Sequence, residues 1–382
     1  MKNRRFAAMA LIGTLMLSMT ACGSSAKPAS TTAAPAAAQT TAAAQAAAPA
    51  ETASLDYHTY LTGQYPAIPA DGPEVSLTIA HAGAENSGQQ TLMNALKATL
   101  EEKSGGKFKV TVYPNGQLGS DAEIIASCLK GDIDIAYQSG STHASQIPET
   151  QIFDTPFLFS GLSKEKVQKI VTDSDFRTLY NEANEKAGLV CLMLRSWGSM
   201  NLTSNKPVTK LEDFKGLKIR TAQAESRMAI WSAIGANPTP LPFSELYMAL
   251  QNGTVDAQDN NMENAIVSGA AEVQKYLIPT QSMMPSLDVT INKAKFDAMP
   301  AEYQELLKAV CKDLEKYDYD VTDQSEQSFH DRLINEYHLE ECELTDDVRK
   351  QIKDAAAPAI DTVKKAVGND AMYECIEKLI AE

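Results

Sequence analysis

Gly216–Asn260 reads GLKIRTAQAESRMAIWSAIGANPTPLPFSELYMALQNGTVDAQDN, and its order of elements decides the fold. A short strand carrying Leu217 and Ile219 ends at Arg220. A helix, a proline-rich strand, a second helix and a turn into another strand follow. Arg220 therefore falls at or just past the carboxyl end of a strand, where open α/β sheets bind their ligands. A guanidinium there offers a planar fork of donors suited to a carboxylate or phosphate. The competing reading is an arginine that pairs with a surface acid, as exposed arginines commonly do.

The same alternation runs through the preceding residues. Val75–Ile79 alternates apolar and polar. Ser87 and Gln90 then form a capping-box pattern ahead of a helix with Leu92, Leu96 and Leu100 on one face. Phe108, Val110 and Val112 alternate as a second strand, and Pro114-Asn115-Gly116 turns the chain. Ser120 and Glu123 open another helix, with Ile124, Ile125, Cys128 and Leu129 inward. Gly131 closes it, and the next strand begins at Ile133. Strands and helices in alternation predict a parallel sheet with right-handed crossovers. The ending Leu129-Lys-Gly131-Asp-Ile133-Asp134 returns as Gln251-Asn-Gly253-Thr-Val255-Asp256, and proline precedes both helices, at Pro114 and at Pro238 to Pro242. We expect an α/β protein with two lobes on one plan and a cleft between them.

The C-terminal third changes character. Tyr303, Leu306, Leu307, Val310, Leu314 and Tyr317 are spaced three and four apart, a helical stripe running on towards Leu333 and Tyr337. It reads as a spine helix packed across both lobes or as a coiled-coil partner surface. Further helix is expected from Val348 to Ile380.

Lys2, Arg4 and Arg5 precede an apolar run from Phe6 to Met19 and then Thr20-Ala21-Cys22, a secretory signal too short to span a bilayer. Cysteine directly after a small pair resembles a bacterial lipobox, which makes Cys22 the acylated mature N-terminus. From Gly23 to Ala53 the chain is almost entirely Ala, Thr, Ser, Pro and Gln, a composition that cannot offset the entropy of ordering. This is a tether, and a tether implies an anchor. Residues 55–73, with Tyr57, Tyr60, Tyr65 and several prolines, are expected to lie along the body as an irregular arm.

The whole chain has 34 basic and 49 acidic residues, a formal charge of −15; removing Lys2, Arg4 and Arg5 leaves 31 against 49, or −18. That disfavours nucleic acid and anionic lipid as partners. Cys128, Cys191, Cys311, Cys342 and Cys375 are odd in number and widely spaced, so free thiols are expected rather than a disulfide framework or zinc site. There is no G-x-S-x-G, P-loop, H-E-x-x-H or G-x-G-x-x-G, and the five histidines lack metal-ligand spacing. No catalysis, cofactor or metal is expected.

Four segments carry a resemblance: Ser104–Gly119 (SGGKFKVTVYPNGQLG), Phe153–Phe159 (FDTPFLF), Leu211–Arg220 (LEDFKGLKIR), and Gly235–Pro240 through Glu245-Leu-Tyr247. Spread in order over residues 75–300, they are similar to the solute receptors of TRAP (tripartite ATP-independent periplasmic) transporters, typified by C4-dicarboxylate receptors. The resemblance implies a periplasmic-binding-protein-like fold that closes on a small organic acid. It also implies that Arg220 clasps the carboxylate and that membrane subunits driven by an ion gradient receive the ligand. Asn260, Trp197 and Tyr247 are expected near that ligand. Members of the family often carry a second arginine where Met200 stands here, with Arg195 the nearby candidate to compensate. A monocarboxylate, keto acid or sugar acid then becomes at least as probable a ligand as a dicarboxylate. The receptor of an ATP-driven importer and an extracytoplasmic enzyme on a receptor-like body are the alternatives.

The expected organisation is a signal peptide (1–21) and a lipid-anchored tether (22–54), then lobe I (75–198 and 283–325) and lobe II (199–282 and 326–382). A monomer held to the membrane through its lipid alone is expected.

Overall fold

The computed structural model describes residues 55–382. The signal, Cys22 and the tether lie outside the described residues. Among the described residues eleven strands form two sheets. β1 (Val75–Ala80), β2 (Phe108–Tyr113), β3 (Ile135–Ser139) and β4 (Leu189–Ser196) belong to the first. β5 (Asn201–Ser204), β6 (Lys218–Thr221), β7 (Asn237–Pro240), β8 (Ala257–Asn260) and β9 (Tyr276–Ile278) belong to the second. β10 (Ser286–Asn292) returns to the first, and β11 (Glu340–Glu341) edges the second.

The first sheet runs β2-β1-β3-β10-β4 and the second β7-β6-β8-β5-β9-β11. They share one plan. In each, three parallel strands lead into an antiparallel strand, β10 or β5, that the chain brings across from the other lobe. The two crossings lie side by side: Trp197 N–H donates to the Pro285 carbonyl at 2.7 Å and Met200 N–H to that of Met283 at 2.9 Å. Among the described residues this paired ribbon is the only covalent link between the sheets apart from the long helix and tail described below.

The recurring Gly-x-[Ile/Val]-Asp sequence does the same work in both lobes. Gly131 and Gly253 take φ of 86° and 67°, the left-handed region that glycine enters without a Cβ clash, and so stop their helices. Ile133 and Val255 are buried. Asp134 Oδ2 accepts the Thr78 N–H of β1 at 2.7 Å, and Asp256 Oδ2 accepts the Lys218 N–H of β6 at 3.2 Å. Each aspartate therefore holds the neighbouring parallel strand, β1 near its middle and β6 at its first residue. Pro238 and Pro240 are tolerated in β7 because it is an edge strand paired only with β6, which leaves no ladder bond for their missing N–H groups to break.

The helix Ala301–Asn335, 35 residues and about 50 Å long, is the expected spine. Tyr303, Leu306, Leu307, Val310 and Leu314 sit in the core of the first lobe, whereas Phe329 and Leu333 pack with Ala265, Ile266 and Leu277 of the second. The arm lies along this helix. Asp313 Oδ2 accepts from Thr62 N–H at 2.9 Å and Tyr65 O–H at 2.7 Å, and Asp320 Oδ2 accepts from Tyr60 O–H at 2.9 Å. The tail divides between the lobes. Asp346–Ala355 packs in the core of the second, but Val363, Met372, Tyr373 and Ile376 join Phe153, Phe176 and Tyr180 beside the first. Residues 326–382 therefore do not all belong to lobe II; their last apolar stripe covers helices of lobe I. The five described cysteines are free, four of them buried.

Candidate functional site

A cleft of about 530 Å³, part of it open to solvent, lies between the carboxyl ends of the two sets of parallel strands. The first lobe contributes Gly83, Gln89, Asp121, Ser139 and Thr142. The second contributes Arg220, Arg227, Phe243, Asp259 and Asn260, and the crossing ribbon contributes Trp197 and Met200.

Arg220 is the third residue of β6, and its side chain is 3% exposed. Its Nε and Nη2 both donate to the Leu241 carbonyl, at 3.0 and 2.7 Å, and its guanidinium carbon lies 5.9 Å from the centre of the Phe243 ring. No described residue accepts a hydrogen bond from its Nη1. Three arginines among the described residues are buried, and two of them hold carboxylates. Arg195 pairs with Asp318; Arg227 has Nε 3.3 Å from Asp154 Oδ1 and Nη1 3.1 Å from Asp259 Oδ2. Among the described residues no carboxylate lies within 4.0 Å of Arg220. Burial lowers its pKa to about 10, which the fields of Asp121 and Asp259 only partly oppose.

Asn260 ends β8, which lies against β6 in the sheet. Its Oδ1 accepts from Asn264 Nδ2 at 2.9 Å, so its own Nδ2 is left as a donor. Trp197 lines the cleft and is held through its carbonyl, which accepts from Asn261 Nδ2 at 3.2 Å. Arg220, Asn260 and Trp197, expected together, are brought together.

Two other expected residues are not. Tyr247 is turned away from the cleft: its ring packs over Gly269 and its hydroxyl accepts from Gln251 Nε2 at 3.1 Å. Arg195 does not line the cleft. Its Nε is bound to Asp318 of the spine helix and its Nη1 to the Ser196 carbonyl at 3.0 Å, so it ties β4 to the spine and cannot replace a cation at Met200. Met200 is itself buried and lines the cleft.

The second cation of the cleft is Arg227, which the sequence reading passed over. It falls on the same helical face as Ile230, Trp231 and Ile234, all buried. A charge at an apolar position of that stripe was the available signal. Its Nε and Nη2 also reach Ser141 Oγ at 3.3 and 3.2 Å, joining the second lobe to the first. A second contact also joins the lobes: Glu263 Oε1 of the second accepts the Gly88 N–H at the start of helix Gly88–Lys103, at 2.8 Å.

Among the described residues no cluster of His, Cys, Asp and Glu is arranged to hold a metal, and no helix is long and apolar enough to cross a membrane. An anion is what the cleft's unpaired guanidinium and amide can hold.

The chain is similar to several proteins of known name or structure. The 2,3-diketo-L-gulonate-binding periplasmic protein of Escherichia coli is 28% identical over 304 residues, covering 79% of this chain and 90% of that protein. The sugar acid binding protein of Advenella mimigardefordensis, solved with galactonate, superposes with a TM-score of 0.76 at 26% identity, covering 81% of this chain and 99% of its own. A TRAP periplasmic solute-binding protein of Sulfurospirillum deleyianum, solved with succinate, gives 0.73 at 27% identity over 81% of this chain and 99% of its own. Residues 79–366 match the family described as bacterial extracellular solute-binding protein, family 7. The chain belongs to that family, the TRAP-type receptors its sequence resembles.

Proposed function

We propose that the protein is an extracytoplasmic receptor that captures a small organic acid by its carboxylate and delivers it to an ion-gradient-driven TRAP membrane carrier. The observation that carries this reading is Arg220, a cation buried in an interlobe cleft without a carboxylate of its own. Such a charge is unfavourable alone and is relieved by an incoming anion. Asn260 adds a donor, and Trp197 and Phe243 add apolar walls. The diketogulonate, galactonate and succinate of its relatives support a carboxylate ligand.

The protein binds rather than catalyses. The cleft hydroxyls of Ser139 and Thr142 donate to Ser141 Oγ and to the Ser139 carbonyl, not to a base that would activate them. Cys22 and the low-complexity stretch after it support a lipid-anchored mature form. In cells, Cys22→Ser is expected to release the protein or leave its precursor unprocessed; a processed Cys22→Ser protein that stays in the membrane fraction contradicts the anchor.

A thermal-shift screen against organic acids tests the receptor reading. A ligand at about 100 times its dissociation constant adds roughly 2.7 kcal/mol to stability, a readily detected shift. The expected result is stabilisation by one or a few carboxylates and its loss in Arg220→Ala. Stabilisation by neutral sugars alone, equal in parent and variant, overturns it.

A further inference from the structure

Capture of a carboxylate leaves one group of the cleft without a role. Asp121 is the first residue of the helix Asp121–Lys130 in the first lobe, and it lines the cleft that Arg220 lines from the second. Its main-chain carbonyl accepts from Gln138 Nε2 at 2.6 Å, but no described residue donates to its carboxylate. The neighbouring acids are all engaged. Glu123, on the same helix, accepts from Ser120 at 2.8 Å, and Asp259 and Asp154 hold Arg227. Two charges of the cleft therefore lack a direct partner, and they lie on opposite lobes with opposite signs.

We propose that Asp121 sets the specificity of the receptor: it accepts a hydrogen bond from a hydroxyl of a ligand whose one carboxylate lies on Arg220, and it excludes ligands with a second carboxylate. The proposal rests on the carboxylate reading given above. A hydroxylated monoacid brings one negative charge, which Arg220 balances, and donors, which Asp121 lacks. A diacid brings a second negative charge into a cleft whose other cation, Arg227, already serves two carboxylates. Like charges brought together out of water repel strongly. A ligand without a hydroxyl leaves the Asp121 acceptor desolvated and unmatched, the situation by which polar sites discriminate best.

Protonation offers a second handle. Burial pushes the Asp121 carboxyl up to about 6, against the pull of Arg220. It is thus ionised at pH 7.5 and largely neutral at pH 5. Arg220 stays charged throughout, and Glu123 is held by Ser120. Burial also raises the Asp259 carboxyl, against the pull of Arg227, but that is common to the parent and to Asp121→Asn, so comparing the two isolates Asp121.

Matched acids that differ only at the far carbon give the test: galactonate against galactarate, and threonate against tartrate. Calorimetry on the folded parent at pH 7.5 is expected to favour the monoacid of at least one pair by about tenfold or more. Asp121→Asn is expected to bring that ratio within about threefold, through gain of the diacid. Lowering the pH to 5 narrows the ratio in the parent but not in Asp121→Asn, a readout that needs no variant to fold. Tighter binding of the diacid by the parent overturns the proposal, as does a ratio that neither Asp121→Asn nor acid alters. If no hydroxylated monoacid binds while another carboxylate binds through Arg220, this inference falls and the receptor reading stands. If no carboxylate depends on Arg220, both fall.

Discussion

Arg227 holds Asp154 and Asp259 within 3.3 Å, whereas Arg220 in the same lobe has one backbone carbonyl and no carboxylate. The two buried guanidinia should therefore respond oppositely to truncation. Arg227→Ala strands two buried carboxylates and is expected to lower the stability of the empty protein by about 3–5 kcal/mol. Arg220→Ala removes a desolvated cation that no described carboxylate pairs directly, so stability is expected to stay within about 1 kcal/mol of the parent or rise. Urea unfolding of both variants without ligand checks this; equal losses contradict it. At this scale Arg220 was legible because a strand end in an α/β pattern fixes where a side chain emerges. Arg195 and Tyr247 were not separable from it, since their partners Asp318 and Gly269 come from elements whose packing local periodicity does not encode.

The shared unit of the two lobes is a helix stopped by glycine and a strand opened by an aspartate that holds the next strand. Asp134 serves Thr78 N–H and also lies 3.0 Å from Lys295 Nζ. Asp134→Ala is expected to destabilise the protein by about 1–3 kcal/mol, because the N–H of a core strand loses its acceptor. Chemical denaturation within about 0.3 kcal/mol of the parent would speak against that role. The repeat was readable because all its parts are local in sequence. The exchange of β5 and β10 was not, since each antiparallel strand pairs with partners from the far side of a crossing, and alternation of side chains does not name a partner. The same limit hid the return of the last helix to the first lobe. Its stripe announces a helix, and only Phe176 and Tyr180 decide where that helix packs.

In the whole molecule two lobes meet across a cleft, joined by the crossing ribbon, the spine helix and the tail. Arg227 on Ser141 and Glu263 on Gly88 reach from one lobe to the other. A ligand favours the closed form only by binding it better than the open one. Small-angle scattering is expected to show a smaller radius of gyration when a stabilising acid is added. An unchanged radius counts against hinge closure. Closure matters because it removes water from around Arg220, and a planar, bidentate contact with a carboxylate then gains most. Arg220→Lys keeps the charge but loses the fork and is expected to recover only part of the affinity lost in Arg220→Ala. The most direct test of the account is calorimetric titration of the parent and of Arg220→Ala with the acid that stabilises the parent best. The expected loss is about 3–5 kcal/mol, a weakening of at least about a hundredfold. Binding by folded Arg220→Ala within about threefold of the parent contradicts the assignment of Arg220 as the group that captures the ligand.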